Sequence, residues 1–458
     1  MTKTIPIPIY LHNAPNPDRY LYDKHIHNRS GWSEGRVAFY AYSHQEPGTL
    51  PIYRHSTPDH ERYYYDTDPH NNSGWSEGKI AFYAYSNQQP GTIPIYRHNA
   101  TNPDRYYYDT HLHNTSGWSE GVVAFYAYPP GWMSTVTDNA LLSQMSLPGT
   151  HESMAMYGYG STCQEWTLAE QLRNGLRVFD IRLRYLPGQD GRVNFAVHHA
   201  HDYQHAFFDS KFPYTSDAKY FVLDDCLEFL KHNPTECIVL LIKQEKDAQV
   251  RNVFFDAFWK IIDNRAGYNN QPLDKLFYAG NTVPALRDAR GRIIFAFVDG
   301  DDGSSYQLGN PRWGLYWGNI DYQVKWRNPL SGQQPGLDVE NHWKDLMDWK
   351  WEKVKTHLEG AIEVGPASTI WFVTYLSASR APALGYFPVD YAKYLLPKLQ
   401  TYLRSNSRAE PKRSWGAYFG TVLMDFPTVD AISHLISASQ SYQYPEPVGV
   451  GESVGGGN

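Results

Sequence analysis

Two hydrophobic patterns divide the chain. Over the first third, short apolar and aromatic runs are punctuated by Gly, Pro and Asn, the signature of strands separated by turns. Pro-Ile-Tyr recurs at 8–10, 51–53 and 94–96, Ser-Gly-Trp-Ser-Glu-Gly at 30–35, 73–78 and 116–121, and Ala-Phe-Tyr-Ala-Tyr ends at 42, 85 and 128. Every motif advances by 43 residues without an insertion, so the segment is a repeat array. Three units of about four β segments predict a closed, pseudo-threefold all-β module over 1–129, a β-trefoil in preference to a three-bladed propeller-like disc.

After the linker Pro129-Pro-Gly-Trp132 the pattern changes to apolar strands alternating with amphipathic helices. Strands are predicted at Gln144–Gly149, Val178–Leu183, Asn194–His199, Cys237–Lys243, Arg292–Val298, Gly314–Ile320, Thr369–Leu376 and Thr421–Phe426. Between them, Thr167-Leu-Ala-Glu170 reads as a capping box opening a helix that Gly175 stops. Leu223, Cys226, Leu227 and Leu230 form one apolar helix face, ended by Asn233-Pro234. Eight such units predict an α/β TIM-type barrel over 133–440, followed by a Gly-rich flexible tail over 441–458.

Composition narrows the function classes. A net charge of −7 argues against nucleic acid as a partner. The start Met1-Thr-Lys-Thr-Ile-Pro-Ile-Pro lacks the apolar centre of a signal peptide, so a cytoplasmic protein is expected if Met1 is native and a secreted one if a leader was removed. Cys163, Cys226 and Cys237 fit neither a disulfide framework nor a zinc motif and read as core residues. The 36 Tyr and 14 Trp are the compositional anomaly. Arg19, Arg62 and Arg105, with Asp23, Asp66 and Asp109, also keep the 43-residue period. They read either as an ion pair copied in each unit or as three shallow glycan pockets. Asn28, Asn71 and Asn114 lie in Asn-X-Ser sequons, which turn chemistry explains as well as glycosylation does.

Chemistry gathers at the strand ends of the barrel region, where such barrels place their sites. The polar groups there are His151, Asp180 with Arg182, His199, Lys243 with Glu245, Asp299, Asp321, Tyr375 and Asp425. Two histidines, an arginine and several carboxylates suit proton transfer at an anionic centre.

Here the residues resemble the catalytic X region of phosphatidylinositol-specific phospholipase C, of the bacterial, metal-independent type. Ser146-Leu-Pro-Gly-Thr-His-Glu-Ser153 is similar to that family's first strand motif, and Asn174-Gly-Leu-Arg-Val-Phe-Asp-Ile-Arg182 to its second. Val197-His-His-Ala200, the run from Phe229 through Asn233-Pro-Thr-Glu236 to Lys243, and Val422-Leu-Met-Asp-Phe-Pro427 resemble the third, fourth and last. The match runs in order from about 133 to about 437, leaving the repeats outside it. The repeats themselves loosely resemble aromatic modules appended to secreted hydrolases and lectin-like proteins.

The resemblance implies cleavage of the glycerol–phosphate bond of phosphatidylinositol or a related glycolipid by attack of the inositol 2-hydroxyl. The products would be diacylglycerol and a cyclic inositol phosphate. It implies His151 as general base, Asp425 as its orienting acid, Arg182 fixed by Asp180 as the phosphoryl cation, and His199 as general acid. His198 and His201 are the alternatives for that acid. Arg182 stands where calcium-dependent relatives carry an acidic ligand, so activity without metal or other cofactor is expected. Glu152 replaces the usual Asp, Ala200 the usual Gly, and Phe297-Val298-Asp299 the Lys-Arg pair of many bacterial relatives. Lys243, Glu245, Asp321 and Tyr322 are the candidate headgroup contacts, with Lys243 and Glu245 reading alternatively as a rim ion pair. Ala206-Phe-Phe-Asp-Ser-Lys-Phe-Pro-Tyr214 reads either as a loop dipping into lipid at a peripheral membrane contact or as one packing on the barrel. The rival functions are a glycan-binding protein with a low-activity barrel and a glycerophosphodiester phosphodiesterase.

Overall fold

The computed structural model describes residues 6–15, 18–25, 31–33, 35–70, 74–89, 92–101, 103–110, 117–128, 131–188, 191–211, 217–249, 251–269, 271–298, 312–318, 320, 322–327, 336–366, 370–380, 385–406 and 417–441. Asn28, Asn71, Asn114, Asp299 and Asp321 lie outside them, and of Tyr322 only the backbone is described.

Each repeat folds into a three-stranded antiparallel unit whose first strand is central. The units are β1 (Ile7–Ala14), β2 (Arg19–Asp23) and β3 (Arg36–Ala41); β4 (Thr49–Ser56), β5 (Tyr63–Asp66) and β6 (Lys79–Tyr85); and β7 (Ile93–Ala100), β8 (Arg105–Asp109) and β9 (Val122–Ala127). Backbone pairs Tyr40–Tyr128, Tyr42–Tyr83 and Tyr85–Tyr126 join the third strands of the units around a pseudo-threefold axis. The described residues give three strands per unit where about four segments were expected.

Aromatic triangles fill the axis. Phe39, Phe82 and Phe125 meet edge to face at 5.4–5.6 Å, a favoured ring geometry. Below them each of Tyr22, Tyr65 and Tyr108 donates its hydroxyl to a carbonyl of a neighbouring unit and accepts that residue's amide, at 2.6–2.8 Å. Among the described residues the recurring Arg and Asp pair with other groups. Asp66 and Asp109 accept from the buried His55 and His98, Asp23 pairs with Arg54, and Arg19 with Glu61.

The second region contains β10 (Pro148–Thr150), α1 (Leu168–Arg173), β11 (Val178–Pro187), β12 (Val193–His199), β13 (Asp202–Phe207), β14 (Tyr220–Phe221), α2 (Val222–His232), β15 (Ile238–Gln244), α3 (Arg251–Asn269), α4 (Leu273–Leu276), α5 (Leu286–Ala289), β16 (Ile293–Val298), β17 (Leu315–Gly318), β18 (Tyr322–Arg327), β19 (Gly336–Asn341), α6 (Met347–Val364), β20 (Ile370–Tyr375), α7 (Pro388–Asn406), β21 (Thr421–Met424) and α8 (Val429–Ser441). Parallel ladders run β17–β16–β15–β11–β10–β21–β20–β19, eight strands of a TIM-type barrel. No ladder among the described residues joins β17 to β18 or β19.

Two strand expectations need correction. The expected third barrel strand, β12, runs antiparallel to β11 as the return arm of a hairpin. The eighth parallel strand is instead β19, whose Asp338 and Glu340 hid it as a polar segment. Helix α1 begins as its motif requires, with Thr167 and Glu170 exchanging hydrogen bonds and Gly175 at φ +98° behind it. Phe207 and Phe208 are buried, so the start of the 206–214 segment packs on the barrel, the second of its two readings, while 212–216 lies outside the described residues. All three cysteines are buried and unpaired.

The repeat units dock where the parallel strands begin. Tyr10, Val37 and Tyr40 share a core with Trp132 and the barrel, and the Tyr10 hydroxyl meets Ser433 Oγ on α8 at 2.8 Å. Arg177 and Glu236, just ahead of β11 and β15, form a fully buried pair at 2.8 Å. Glu236 also accepts the Met133 amide, tying the linker to the barrel. No helix among the described residues is long and apolar enough to cross a membrane.

Candidate active site

The opposite ends of the strands bring the chemistry together. Gly149 keeps β10 close to its neighbours, since a side chain there would strike Leu423 and the Val178 carbonyl at 2.5 Å. The strand then delivers His151 beside the end of β21, with the His151 amide bonded to Met424 O at 3.1 Å. His151 Nδ1 lies 2.9 Å from Asp425 Oδ1, and the ring meets Tyr375 edge-on at 5.9 Å. Gln164, which no motif marked, donates to the carbonyls of His151 and Met424 at 2.7 and 3.1 Å and locks this corner. Burial alone would lower the His151 pKa, but the Asp425 charge and hydrogen bond, helped by Glu152 and Asp180, hold it above the ordinary value.

Arg182 projects from β11 beside them. Asp180 grips it at two points, Nε to Oδ1 at 2.7 Å and Nη2 to Oδ2 at 2.8 Å. Its Nη1 reaches Glu245 Oε2 at 3.0 Å and Glu152 Oε1 at 3.1 Å. Burial opposes the ionisation of Asp180 and Glu245, yet Arg182 holds both below the usual carboxylate range, helped by His151 and then Lys243 at Asp180 and by Lys243 at Glu245. Glu152 is lifted above that range by burial, against the pull of Arg182 and His199.

His199 closes the set from the tip of β12. Its Nδ1 meets the Ser161 carbonyl at 2.6 Å and therefore donates there, leaving Nε2 toward the site, 3.9 Å from Glu152 Oε1. His198 points elsewhere: it is buried against Tyr203, and burial, with Arg184 and Lys246, lowers it to about 4. Glu245 does double service, accepting the Ala200 amide at 3.0 Å while holding Arg182. Its ion-pair partner is thus Arg182, with Lys243 acting on it by charge. The residues that follow the three key groups, Glu152, Ala200 and Phe426, all take left-handed backbone, at φ +43°, +48° and +47°.

His151, Cys163 and Asp425 present ligand atoms within 4.8 Å of one another, the metal-capable group among the described residues. A metal there would displace the His151–Asp425 hydrogen bond, and burial keeps the Cys163 thiol well above its ordinary pKa.

Fold and site together define a class: a TIM-type barrel with an oriented histidine, a second histidine and a carboxylate-clamped arginine converging where phosphoryl chemistry can be done. Known proteins narrow it. A 1-phosphatidylinositol phosphodiesterase from Staphylococcus aureus is 26% identical over 291 residues, covering 61% of this chain and 85% of that protein. The protein of the same name from Listeria monocytogenes is 24% identical over 323 residues, covering 67% and 83%. Two solved mutant structures of phosphatidylinositol-specific phospholipase C from Staphylococcus aureus share 25% identity, with TM-scores of 0.52 and 0.53. They match 68% and 69% of this chain and 97% and 98% of theirs. The relatives and structural neighbours are thus bacterial phosphatidylinositol-specific phospholipases C. A family model described as a domain of unknown function (DUF5648) matches residues 18–128.

Proposed function

We propose that the chain is a phosphatidylinositol-specific phospholipase C-like phosphodiesterase, a phosphorus–oxygen lyase. It cleaves the glycerol–phosphate bond of phosphatidylinositol or a related glycolipid. The observation that carries the reading is the convergence of His151–Asp425, Asp180–Arg182 and His199 on one barrel mouth.

With Nδ1 donating to Asp425, His151 Nε2 takes the proton of the inositol 2-hydroxyl, whose oxygen attacks the phosphorus. Arg182 neutralises charge on the phosphoryl oxygens, and Asp180 and Glu245 hold its plane in place. The phosphorus–glycerol oxygen bond breaks, and His199 Nε2 gives its proton to the leaving oxygen. Diacylglycerol and a cyclic inositol phosphate result. Glu152, one methylene longer than the usual Asp, still spans Arg182 and His199 and so supports the acid. Lys243 and Glu245, with Asp321 and Tyr322, are assigned to the headgroup. The fixed Arg182 cation supports turnover without metal.

We assign 1–129 to the repeat module, with glycan binding, 133–440 to the barrel and 441–458 to the tail. Peripheral membrane contact is assigned to exposed aromatics around the mouth. Tyr159 is 96% exposed in the loop that holds His199 through Ser161 and touches Phe387, next to Tyr386.

Phosphorus NMR of the products formed from phosphatidylinositol, with and without EDTA, tests the reading. A cyclic inositol phosphate that EDTA does not suppress is expected. Glycerol phosphate would instead mark a glycerophosphodiester phosphodiesterase. No turnover would mark a binding protein, and loss on chelation restored by calcium would overturn metal independence.

A further inference from the structure

The pseudo-threefold repeat sets the same aromatic group at two of its unit junctions. Tyr64, Trp75 and Tyr106 cluster at 4.7–6.2 Å between the second and third units. Tyr107, Trp118 and Tyr20 do so at 4.8–6.0 Å between the third and first. At the remaining junction Leu21 stands at the position of Tyr64 and Tyr107. The barrel breaks this symmetry. It lays α1 and the start of α8 against the third-to-first junction, and the result is a cavity of about 460 Å³. Tyr20 and Tyr107 form one wall, and Trp166, Glu170, Arg173 and Asn174 the other.

The lining has a specific chemistry. Aromatic residues line both walls, Tyr20 and Tyr107 on one and Trp166 on the other, and suit a ligand with a flat apolar face. One carboxylate and one guanidinium are present together, so the lining favours neither an anion nor a cation. Asn174 is only 7% exposed, and its Oδ1 is buried without a hydrogen-bond partner. A buried acceptor without a donor leaves hydrogen-bonding capacity unused at this wall. The volume falls within the ~300–1,000 Å³ of small-molecule sites. No lining residue belongs to the catalytic set.

We infer that this cavity is a binding site for a neutral saccharide, whose ring faces stack on Tyr20, Tyr107 and Trp166 and whose hydroxyls reach Glu170 and Arg173. This deepens the glycan reading of the repeats and is independent of lipid cleavage. It also gives the site to the joint between the two regions, so neither region holds it alone.

The test is calorimetry of the full-length protein with four hexasaccharides: β-1,4-linked glucose, β-1,4-linked N-acetylglucosamine, β-1,3-linked glucose and α-1,4-linked glucose. At least one should bind. Tyr107→Ala should weaken it tenfold or more, and Tyr107→Phe, which keeps the ring, less than threefold. Arg173→Ala, an exposed position on α1 that leaves the repeats untouched, should weaken it at least fivefold and serves if Tyr107→Ala does not fold. Tyr64→Ala at the open junction should leave binding unchanged, and lipid cleavage should be unaffected in every folded variant. The inference is overturned if none of the four binds. Equal loss with Tyr64→Ala, or unaltered binding in both Tyr107→Ala and Arg173→Ala, overturns it as well.

Discussion

In the proposed reaction His151 serves as the base, and its other nitrogen is already committed. Nδ1 faces Asp425 at 2.9 Å, so the neutral ring carries its lone pair on Nε2. The same contact raises the His151 pKa against burial. A raised folded-state value means the pair adds stability below the unfolded value of 6.5 and loses it as pH climbs through the folded one. Replacing Asp425 by Asn keeps the shape and removes the charge. The acid limb of kcat/KM should then move to lower pH while kcat falls roughly 10³-fold, by analogy with other oriented histidine bases. A pH–rate profile with an unmoved limb would refute the pairing. The two adjacent histidines separate as cleanly. His199→Ala should cost about 10²–10⁴ in kcat on phosphatidylinositol but little on a substrate whose leaving group needs no proton. His198→Ala should stay within about twofold, since His198 lies buried away from the site. Sequence placed the acid among three histidines. Only the side to which each ring turns on β12 and its return separates them, because neighbours on a strand face opposite ways.

At the scale of elements, each key group sits one residue before a left-handed turn: Glu152 after His151, Ala200 after His199 and Phe426 after Asp425. Such backbone costs a non-glycine residue about 1–2 kcal/mol. It turns the chain sharply so that the preceding side chain stays aimed at the mouth. Ala200 stands where the resembling motif carries Gly, and its φ of +48° supplies the reason. Ala200→Gly should raise stability by up to about 1 kcal/mol, the relieved strain partly offset by added unfolded-state freedom, with kcat unchanged. Chemical denaturation checks the first and steady-state kinetics the second. Legibility of the elements followed their polarity. The apolar runs of β15, β16, β20 and β21 announced themselves. β12 was legible as a strand but not in its direction, because Val193–Val197 alternates identically in a hairpin and in a barrel. β19 was lost because Glu340 reads as loop; in the fold Lys350 of α6 neutralises it at 2.8 Å in the interior. Gln164 was missed because a lone amide in a loop carries no pattern, and only proximity to two carbonyls gives it a role.

At the scale of the molecule, two folding logics share one chain. The barrel reaches its site by bringing together residues 274 positions apart, His151 and Asp425, and only matching motif order made that pairing legible. The repeat module uses a short local pattern three times, and its period was plain in the sequence. What period alone did not reveal is how the copies hold one another. Tyr22, Tyr65 and Tyr108 close a ring in which each hydroxyl serves both backbone groups of one partner tyrosine. Removing one hydroxyl takes a hydrogen bond from a buried N–H and from a buried C=O together. Tyr65→Phe removes the hydroxyl that serves the amide and the carbonyl of Tyr22, at about 1 kcal/mol for each hydrogen bond lost. The module docks through Tyr10 and Tyr40 near Arg177 and Glu236, where the parallel strands begin, while His151, Arg182 and Asp425 lie where strands end. The loss should therefore stay in the module. Thermal unfolding of Tyr65→Phe should show an early transition, lower by several degrees, while kcat on phosphatidylinositol remains within about twofold of the parent. A matching fall in kcat at a temperature where the early transition has not begun would mean that the repeats reach into the barrel mouth after all.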